Sequence, residues 1–214
     1  MSVSKVPVVV LISGSGSNLQ AILDASLAAD YPAEVVAVIS NKAGVKGLKR
    51  AADRQIPTLV LNHQSFHSRE AFDLAMIEQI DQFQPMLVVL AGFMRILSET
   101  FVNHYTGRLL NIHPALLPKY KGLDTHQRVL DAGDNKHGAT THFVTAELDG
   151  GPLIMQAEVD VLPEDTAETL AARVLQQEHR IYPETVKLVA GGRVTMQGNQ
   201  SLLDGQVLPE PIQL

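Results

Sequence analysis

The sequence predicts an α/β fold: a Rossmann-like, doubly wound, mostly parallel sheet with a C-terminal antiparallel hairpin and a long final helix. Three observations predict it. Apolar runs of strand length alternate with helical patterns in the first half of the chain. These runs are almost continuously apolar, which is typical of parallel strands buried on both faces. The second half contains two strand patterns around an Asp-Gly-Gly turn, and a long helical pattern follows them.

The elements follow one another in a regular order. Strands are predicted at Val8–Ser13, Glu34–Ser40, Thr58–Leu61, Met86–Gly92 and within Gly107–Pro114. Helices are predicted at Ser17–Ala29, Val45–Arg54, Phe66–Phe83, Asp124–Ala132 and Thr166–Val189. Prolines and a glycine make 114–123 a loop, residues 138–161 form the hairpin, and Thr166 is a plausible N-cap. Residues 192–214 are interpreted as a polar tail.

Composition narrows the classes of protein that fit. The 214 residues are 45% hydrophobic and 19% charged, with a formal net charge of −6. This is ordinary globular composition, and without a visible linker we expect one domain over 1–214. No Lys/Arg cluster favours a nucleic-acid partner. The absence of cysteine excludes thiol chemistry and fits a reducing compartment. With no signal-peptide or membrane-span pattern, we expect a cytoplasmic protein.

The junction "SGSGSN" between the first strand and first helix is the first candidate site. Glycines allow a tight turn and close backbone approach, and a helix N-terminus favours an anion. A dinucleotide fingerprint is excluded, because Leu19 replaces its third glycine and no acidic residue ends the second strand. A P-loop is excluded, because no Gly-Lys-Ser/Thr follows. Two interpretations stay open: a site for a phosphate monoester, or a turn capped by Ser17 or Asn18.

The stretch "LLNIHPALLPKYKG" is the second candidate site. Strand alternation places Asn111 and His113 on the same side of the fifth strand, at its carboxyl end. An amide can stabilise a carbonyl oxygen that gains charge, and an imidazole can move protons, so the pair suits acyl transfer. Asp149, in "ELDGG", is the best candidate for a carboxylate that orients His113. The alternatives are a non-catalytic histidine among the chain's eight and an ordinary hairpin aspartate.

A metal site is disfavoured. His63 and His67 are four residues apart, but "HQSFH" lacks the glutamate of the zinc-binding HExxH pattern. His137 and His142 are five apart and are expected on opposite faces of a strand. We therefore expect no metal cofactor.

Taken together, six stretches resemble the folate-dependent formyltransferase family, in the branch that formylates glycinamide ribonucleotide. They are "SGSGSNLQAI", "ISNKAGVKGLKRA", "VVLAGFMRILS", "LLNIHPALLPKYKG", "HGATTHFVTAELDGGPLI" and "QQEHRIYP". The resemblance runs from about Val8 to Pro183. It implies transfer of a formyl group from 10-formyltetrahydrofolate, as co-substrate, to the amine of the nucleotide in purine synthesis.

The resemblance also implies site residues. Asn111, His113 and Asp149 match the catalytic set. Gly16, Ser17 and Asn18 match the loop that grips the substrate phosphate, and Glu178, with Gln177 beside it, matches a residue near the ribose and glycinamide. The folate end is matched by Arg69, Met94, Arg95, Ile96, Leu97, Asn111, Thr145, Ala146, Glu147, Leu148 and Asp149. Without the resemblance, Glu178 and Arg69 would be surface helix residues, and "GFMRIL" would be core with Arg95 solvated.

Three positions depart from the family pattern: Ala115, Asp124 and Ala146. None of them removes a predicted catalytic group, but they leave the shape and charge of the folate loop open. Two rival functions also stay open. One is another formyl-folate enzyme, such as a hydrolase or a transferase with a different acceptor, which usually has an additional domain. The other is a non-catalytic binding module for a nucleotide or folate. Oligomeric state is not readable from the sequence.

Overall fold

The computed structural model describes residues 5–214, which have the predicted α/β fold. Within that range the strands form an eight-stranded, mostly parallel sheet and a separate three-stranded antiparallel sheet. The chain divides into two compact units, one ending at Leu110 and the other spanning Asn111–Leu214. The predicted fold class is confirmed, and each unit carries part of the predicted site residues.

The first unit contains four parallel strands: β1 (Val6–Ile12), β2 (Ala33–Ser40), β3 (Thr58–Val60) and β4 (Leu87–Leu90). Their order is β4-β1-β2-β3. The central strand β1 is apolar on both sides, and every side chain from Val8 to Ile12 is fully buried. Burial of each such side chain contributes roughly 1.5–3 kcal/mol. The carboxyl end of β1 is therefore a rigid base for the loop that follows it.

Four helices accompany these strands: α1 (Ser17–Ala25), α2 (Lys46–Ala52), α3 (Arg69–Asp81) and α4 (Glu99–His104). The predicted end of the first helix at Ala29 is wrong, because the Ser26 hydroxyl donates to the Leu23 carbonyl and the chain turns there. The predicted start of α3 at Phe66 is also wrong. Ser68 caps the helix by accepting a hydrogen bond from the Ala71 N–H at 3.1 Å.

The helix α4 was missed by the sequence reasoning, although it carries a readable signal. The hydroxyl of Ser98 accepts from the N–H of Phe101 at 3.3 Å, which is an ordinary N-cap. On α3, the predicted apolar stripe is largely correct. Phe72, Met76 and Ile80 are buried, whereas Phe83 lies beyond the helix end and is half-buried.

The second unit contains the antiparallel hairpin and the long helix. The strand β5 (Leu109–His113) crosses from the first unit into the second, and α5 (Thr125–Ala132), β6 (Lys136–Phe143), β7 (Leu153–Asp160) and α6 (Ala167–Ala190) follow. Strands β6 and β7 pair antiparallel, as predicted. The predicted cap of α6 is confirmed, since Thr166 and Thr169 form a reciprocal capping box.

The expectation of a polar tail over 192–214 is wrong. Strands β8 (Val194–Gln197), β9 (Gln200–Leu203) and β10 (Gln206–Val207) form the antiparallel three-stranded sheet, and β11 (Ile212–Gln213) pairs with β7. The signal was present: Asp204-Gly205 has positive φ at both residues, which a tight hairpin turn requires. In residues 5–214 no helix is long and apolar enough to cross a membrane.

Candidate active site

The loop after β1 has the geometry of an anion-binding turn. Gly16 is the N-cap of α1, with φ 68°, and no side chain caps the helix. The interpretation of a turn capped by Ser17 or Asn18 is therefore wrong. Ser17 is the first residue of the helix, and Asn18 is buried on its first turn. The first N–H groups of a helix have no partner within the helix, and they favour negative charge.

The loop is fixed from its other side by the start of α2. A Cβ on Gly16 would lie 2.5 Å from the Cα of Gly47, and a Cβ on Gly47 would lie 2.4 Å from Cδ1 of Ile12. The Gly47 N–H donates to the Gly14 carbonyl at 3.1 Å. Two glycines at this contact allow the backbones to meet. The positions of the two glycines can be read from the sequence, but the contact between the two segments cannot.

Arg50 is a further residue at this loop that sequence reasoning missed. Its Nε donates to the Ser15 carbonyl at 2.9 Å, and its Nη1 donates to the Gln20 side chain at 3.0 Å. The guanidinium therefore fixes the backbone of the loop and places a permanent positive charge beside it.

The residues predicted at the folate end of the first unit lie in two places. Met94 and Ile96 are 67% and 62% exposed, while Arg95 and Leu97 are half-buried. The interpretation of "GFMRIL" as plain core is therefore wrong for Met94 and Ile96, whose side chains are mostly exposed. Exposed apolar side chains on a loop suit contact with a flat ring system. Arg69 is the first residue of α3, and its guanidinium lies 3.4 Å from Glu70.

In the second unit, the end of β5 brings the predicted catalytic side chains together. His113 is buried, and its Nδ1 lies 3.4 Å from Oδ2 of Asp149. Its Nε2 donates to the Tyr120 carbonyl at 2.8 Å, because a carbonyl oxygen can only accept. The 3.4 Å distance from Nδ1 to Asp149 is longer than an ordinary N–H···O hydrogen bond, so Nδ1 lies close to the Asp149 carboxylate without forming an ordinary hydrogen bond with it.

Asn111 is oriented by His142, which the sequence suggests only as a possible metal ligand. His142, on β6, is 2% exposed, and its Nε2 lies 3.2 Å from Nδ2 of Asn111. The Nδ1 of His142 faces the Phe143 carbonyl at 2.8 Å and so carries the ring proton. Its Nε2 therefore accepts one N–H of Asn111, and burial lowers the pKa of His142, which keeps the ring neutral.

His142 also lies close to the carboxylate, with Nε2 3.8 Å from Oδ1 of Asp149. Asn111, His142, Asp149 and His113 thus form one contiguous polar cluster. The register of β6 against β7 shifts between Thr141 and His142, which interrupts the simple alternation assumed for this strand. That shift is why face assignment from the sequence is unreliable for His142.

The loop after β5 closes against this cluster. Tyr120 has φ 57°, an unusual conformation for a bulky residue, and its hydroxyl donates to Asp134 at 2.8 Å. The N–H of Gly122 donates to Oδ2 of Asp149 at 2.9 Å. Lys121 pairs with Glu147 at 2.6 Å. The loop therefore supplies one acceptor to His113 and one donor to Asp149.

The turn that carries Asp149 requires glycine at 151, whereas at Gly150 a Cβ would meet only the exposed side chain of Glu147, which can move. Asp149 itself has φ 48° and is 9% exposed. A Cβ on Gly150 would lie 2.3 Å from the Glu147 side chain, and one on Gly151 would lie 1.9 Å from the Phe143 carbonyl oxygen. On the same turn Thr145 is half-buried, and Ala146, Glu147 and Leu148 are exposed. The "LDGG" sequence is therefore more than a generic hairpin turn.

The remaining predicted residues and the departures are placed as follows. Glu178 lies on the buried face of α6, which contradicts its interpretation as a solvated residue. Gln177, half-exposed beside it, accepts from Arg180 at 2.8 Å. Of the departures, Ala115 is buried, Ala146 is exposed, and Asp124 is the left-handed N-cap of α5. Across residues 5–214 no group of three or more His, Cys, Asp and Glu could hold a metal ion.

Comparison with known proteins identifies the class to which this fold and cluster belong. The family model described as "Formyl transferase" matches residues 6–186. The chain therefore belongs to the formyl transferase family. This family uses 10-formyltetrahydrofolate as co-substrate, so the predicted co-substrate is confirmed at the level of the family.

Individual relatives agree on the kind of enzyme within that family. The chain is 55% identical to phosphoribosylglycinamide formyltransferase of Escherichia coli, over 94% of this chain and 95% of that one. It is 46% identical to the enzyme of the same name from Haemophilus influenzae, over 95% and 96%. A solved phosphoribosylglycinamide formyltransferase structure from Coxiella burnetii superposes with a TM-score of 0.93 at 50% identity, covering 98% and 99%. Within the family, the chain is an enzyme of the phosphoribosylglycinamide formyltransferase kind.

Proposed function

We propose that the protein transfers the formyl group of 10-formyltetrahydrofolate to the amine of glycinamide ribonucleotide, by direct attack of that amine. The observation that carries the proposal is the polar cluster of half-buried Asn111 with buried His113, His142 and Asp149 at the end of β5. The similarity to the E. coli and H. influenzae enzymes supports the two substrates. The chain contains no cysteine, and we infer that the acceptor amine itself is the nucleophile.

Asn111 stabilises the oxygen of the formyl group. As the amine nitrogen bonds to the formyl carbon, the carbonyl oxygen gains negative charge. One N–H of Asn111 donates to His142 at 3.2 Å, and Nδ2 has a second N–H that can donate to this oxygen. Because His142 fixes the amide before the reaction, the donor needs no reorganisation, which is how an oxyanion hole acts.

His113 and Asp149 assist the proton transfers. The attacking amine becomes positively charged and must lose a proton, while the departing folate nitrogen must gain one. The Nε2 proton of His113 is held by the Tyr120 carbonyl, so Nδ1, which faces Asp149 at 3.4 Å, is the nitrogen that exchanges a proton. When the C–N bond to folate breaks, one proton has moved from the amine to the folate nitrogen, and the products are the formamide and tetrahydrofolate.

The first unit supplies substrate-binding groups. The Gly16–Asn18 loop binds the phosphate of the nucleotide through helix N–H groups, with the Arg50 charge beside it. Met94–Leu97 and Arg69 carry the folate contacts proposed for this unit. In the second unit the proposed folate contacts are those of Thr145–Leu148. Glu178 and Gln177 bind the ribose and glycinamide portion. The apolar side chains of Met94, Ile96 and Leu148 are exposed and therefore accessible to a ligand, which supports these contacts.

The test is a formyl-transfer assay followed by absorbance. Purified protein is mixed with 10-formyltetrahydrofolate, with and without glycinamide ribonucleotide. Deformylation only with the nucleotide establishes the transferase, whereas folate consumption without it indicates a hydrolase. If the folate is not deformylated in either mixture, the protein uses a different acceptor or is a binding module.

The roles within the cluster are tested by paired variants. We expect His113→Ala to lower kcat by about 100-fold or more while retaining nucleotide binding, because general acid–base catalysis contributes about that much. His104→Ala is the matched control, since His104 pairs with Asp81 at 2.8 Å at the surface of the first unit. Near-normal turnover in His113→Ala would refute the assignment.

We further propose that residues 1–214 act as one formyltransferase domain in the cytoplasm. The family match covers parts of both compact units, which supports one functional domain. The absence of cysteine is compatible with a reducing compartment. Limited proteolysis and cell fractionation test these two points.

A further inference from the structure

The segment Met94–Leu97 is held at both of its ends by buried polar side chains from distant parts of the first unit. Ser13, which follows β1, holds the start of the segment, and Asp73, on α3, holds the residue after its end. Neither residue belongs to the predicted site.

The first anchor is a relay through the Ser13 hydroxyl. The N–H of Met94 donates to Oγ of Ser13 at 2.8 Å, and that hydroxyl donates onward to Oδ1 of Asn41 at 2.7 Å. Ser13 and Asn41 are 6% and 1% exposed. Because Asn41 accepts the hydroxyl proton, a lone pair of Ser13 Oγ must face the Met94 N–H. The N–H of Ser13 also donates to the Gly92 carbonyl at 3.2 Å.

The second anchor is a buried carboxylate. Oδ2 of Asp73 accepts from the backbone N–H of Ser98 at 2.5 Å, and Asp73 is 1% exposed. Ser98 is in turn the N-cap of α4. Asp73 therefore fixes the point at which the segment enters a helix. Burial raises the pKa of Asp73 because it disfavours the charged carboxylate, so the hydrogen bond from the Ser98 N–H offsets part of that cost.

Between the anchors the segment has little other support. In residues 5–214, the backbone groups of Arg95, Ile96 and Leu97 make no hydrogen bond to another backbone group. Met94 and Ile96 are mostly exposed, so core packing does not hold them. The hydrogen bonds at its two ends, together with half-buried Arg95 and Leu97, therefore set the path of the segment.

We propose that Ser13 and Asp73 are positioning residues for formyl-folate, which set the Met94–Leu97 segment in its binding conformation. This inference rests on the proposed function of that segment. Neither residue touches the ligand. Each acts by holding one backbone N–H, so loss of either lowers folate affinity while leaving the phosphate loop and the catalytic cluster in place.

The experiment measures folate and nucleotide binding separately in Ser13→Ala and Asp73→Ala. The dissociation constant of tetrahydrofolate is measured by calorimetry, and KM is measured for each substrate. Loss of one hydrogen bond is worth about 1 kcal/mol, so we expect about a five- to tenfold rise in the folate constants. We expect KM for the nucleotide to change less than about twofold.

Two variants separate positioning from a general loss of stability. Asp73→Asn retains an oxygen that can accept from Ser98, so it should restore most of the folate affinity lost in Asp73→Ala. Ser26→Ala removes a hydroxyl that donates to Leu23 at 2.8 Å elsewhere in the unit, and it should leave both KM values unchanged. Unchanged folate constants in Ser13→Ala and Asp73→Ala, or an equal rise in both KM values, would overturn the inference.

The wild-type protein is measured first. Failure of wild-type formyl transfer with retained tetrahydrofolate binding would refute the proposed reaction, and the variants would still decide the positioning role. Absence of tetrahydrofolate binding in the wild type would overturn both.

Discussion

Gly47→Ala is expected to disturb the phosphate loop from a residue outside it. The new Cβ would lie 2.4 Å from Cδ1 of Ile12 and 3.2 Å from both the Gly14 oxygen and the Gly16 Cα. Carbon atoms in contact are about 3.5–4.0 Å apart, so either Ile12 or the start of α2 must move by about 1 Å. Ile12 is fully buried. The start of α2 is therefore expected to take much of the displacement, and the loop moves with it because the Gly47 N–H is bonded to the Gly14 carbonyl.

The expected magnitude follows from that clash. Overpacking of this kind costs about 1–3 kcal/mol. Each 1.4 kcal/mol that falls on the phosphate-bound state raises KM about tenfold. We therefore expect KM for the nucleotide to rise about tenfold, KM for formyl-folate to change less than about twofold, and the free energy of unfolding to fall by about 1–3 kcal/mol.

Gly44→Ala provides the matched control, because Gly44 lies three residues before Gly47 and has φ 68° with nothing within 4 Å of its new Cβ. The left-handed conformation costs an alanine about 1–2 kcal/mol, so this variant loses stability without pushing on the loop. Initial-rate kinetics and urea unfolding are measured on both variants. The reasoning is refuted if Gly44→Ala raises the nucleotide KM as much as Gly47→Ala does, or if Gly47→Ala leaves that KM unchanged.

Three further predictions concern the second unit. Gly138→Ala places a Cβ 2.0 Å from the Ala157 carbonyl oxygen, and we expect about 3 kcal/mol of destabilisation in urea unfolding, which an unchanged midpoint would contradict. His142→Leu removes the acceptor of Asn111, so kcat should fall about tenfold or more with little change in either KM, and a normal kcat would argue against this role. Burial lowers the pKa of His137 to about 4, so the unfolded chain binds its proton first as the pH falls. Stability is then fully present above about pH 6.5, and about 3 kcal/mol of it is lost by about pH 4. His137→Gln should flatten this part of a stability–pH curve measured by urea unfolding, and a curve of unchanged slope would count against it.

The polar cluster at the end of β5 shows how far a local sequence pattern can predict a site. Asn111 and His113 are two residues apart on a strand, so their common side follows from the strand period alone. Asp149 was selected by its turn and by the need for a carboxylate, and it does lie beside His113. The acceptor for Asn111 could not be selected in this way. His142 was one of several histidines on or near strands, and a register shift beside it breaks the period on which such reasoning depends.

The loops show the same limit. The prolines and glycine of 114–123 predict an irregular segment, but they do not say that the Tyr120 carbonyl faces His113 or that the Gly122 N–H faces Asp149. Likewise, Gly16 and Gly47 lie at the starts of α1 and α2, while their contact with each other depends on how the two segments pack.

The sequence by itself determined the fold class, the order of most elements, the position of the glycine-containing loop after β1 and the common side of Asn111 and His113. These follow from periods of two and 3.6 residues and from glycine chemistry, which act within a few residues of the chain. The tertiary structure alone decided which distant groups complete the site: His142 on Asn111, Tyr120 on His113, and Ser13 and Asp73 on the Met94–Leu97 segment. The physical reason is that a buried polar group must find a partner wherever packing brings one, and that choice leaves no local mark on the sequence.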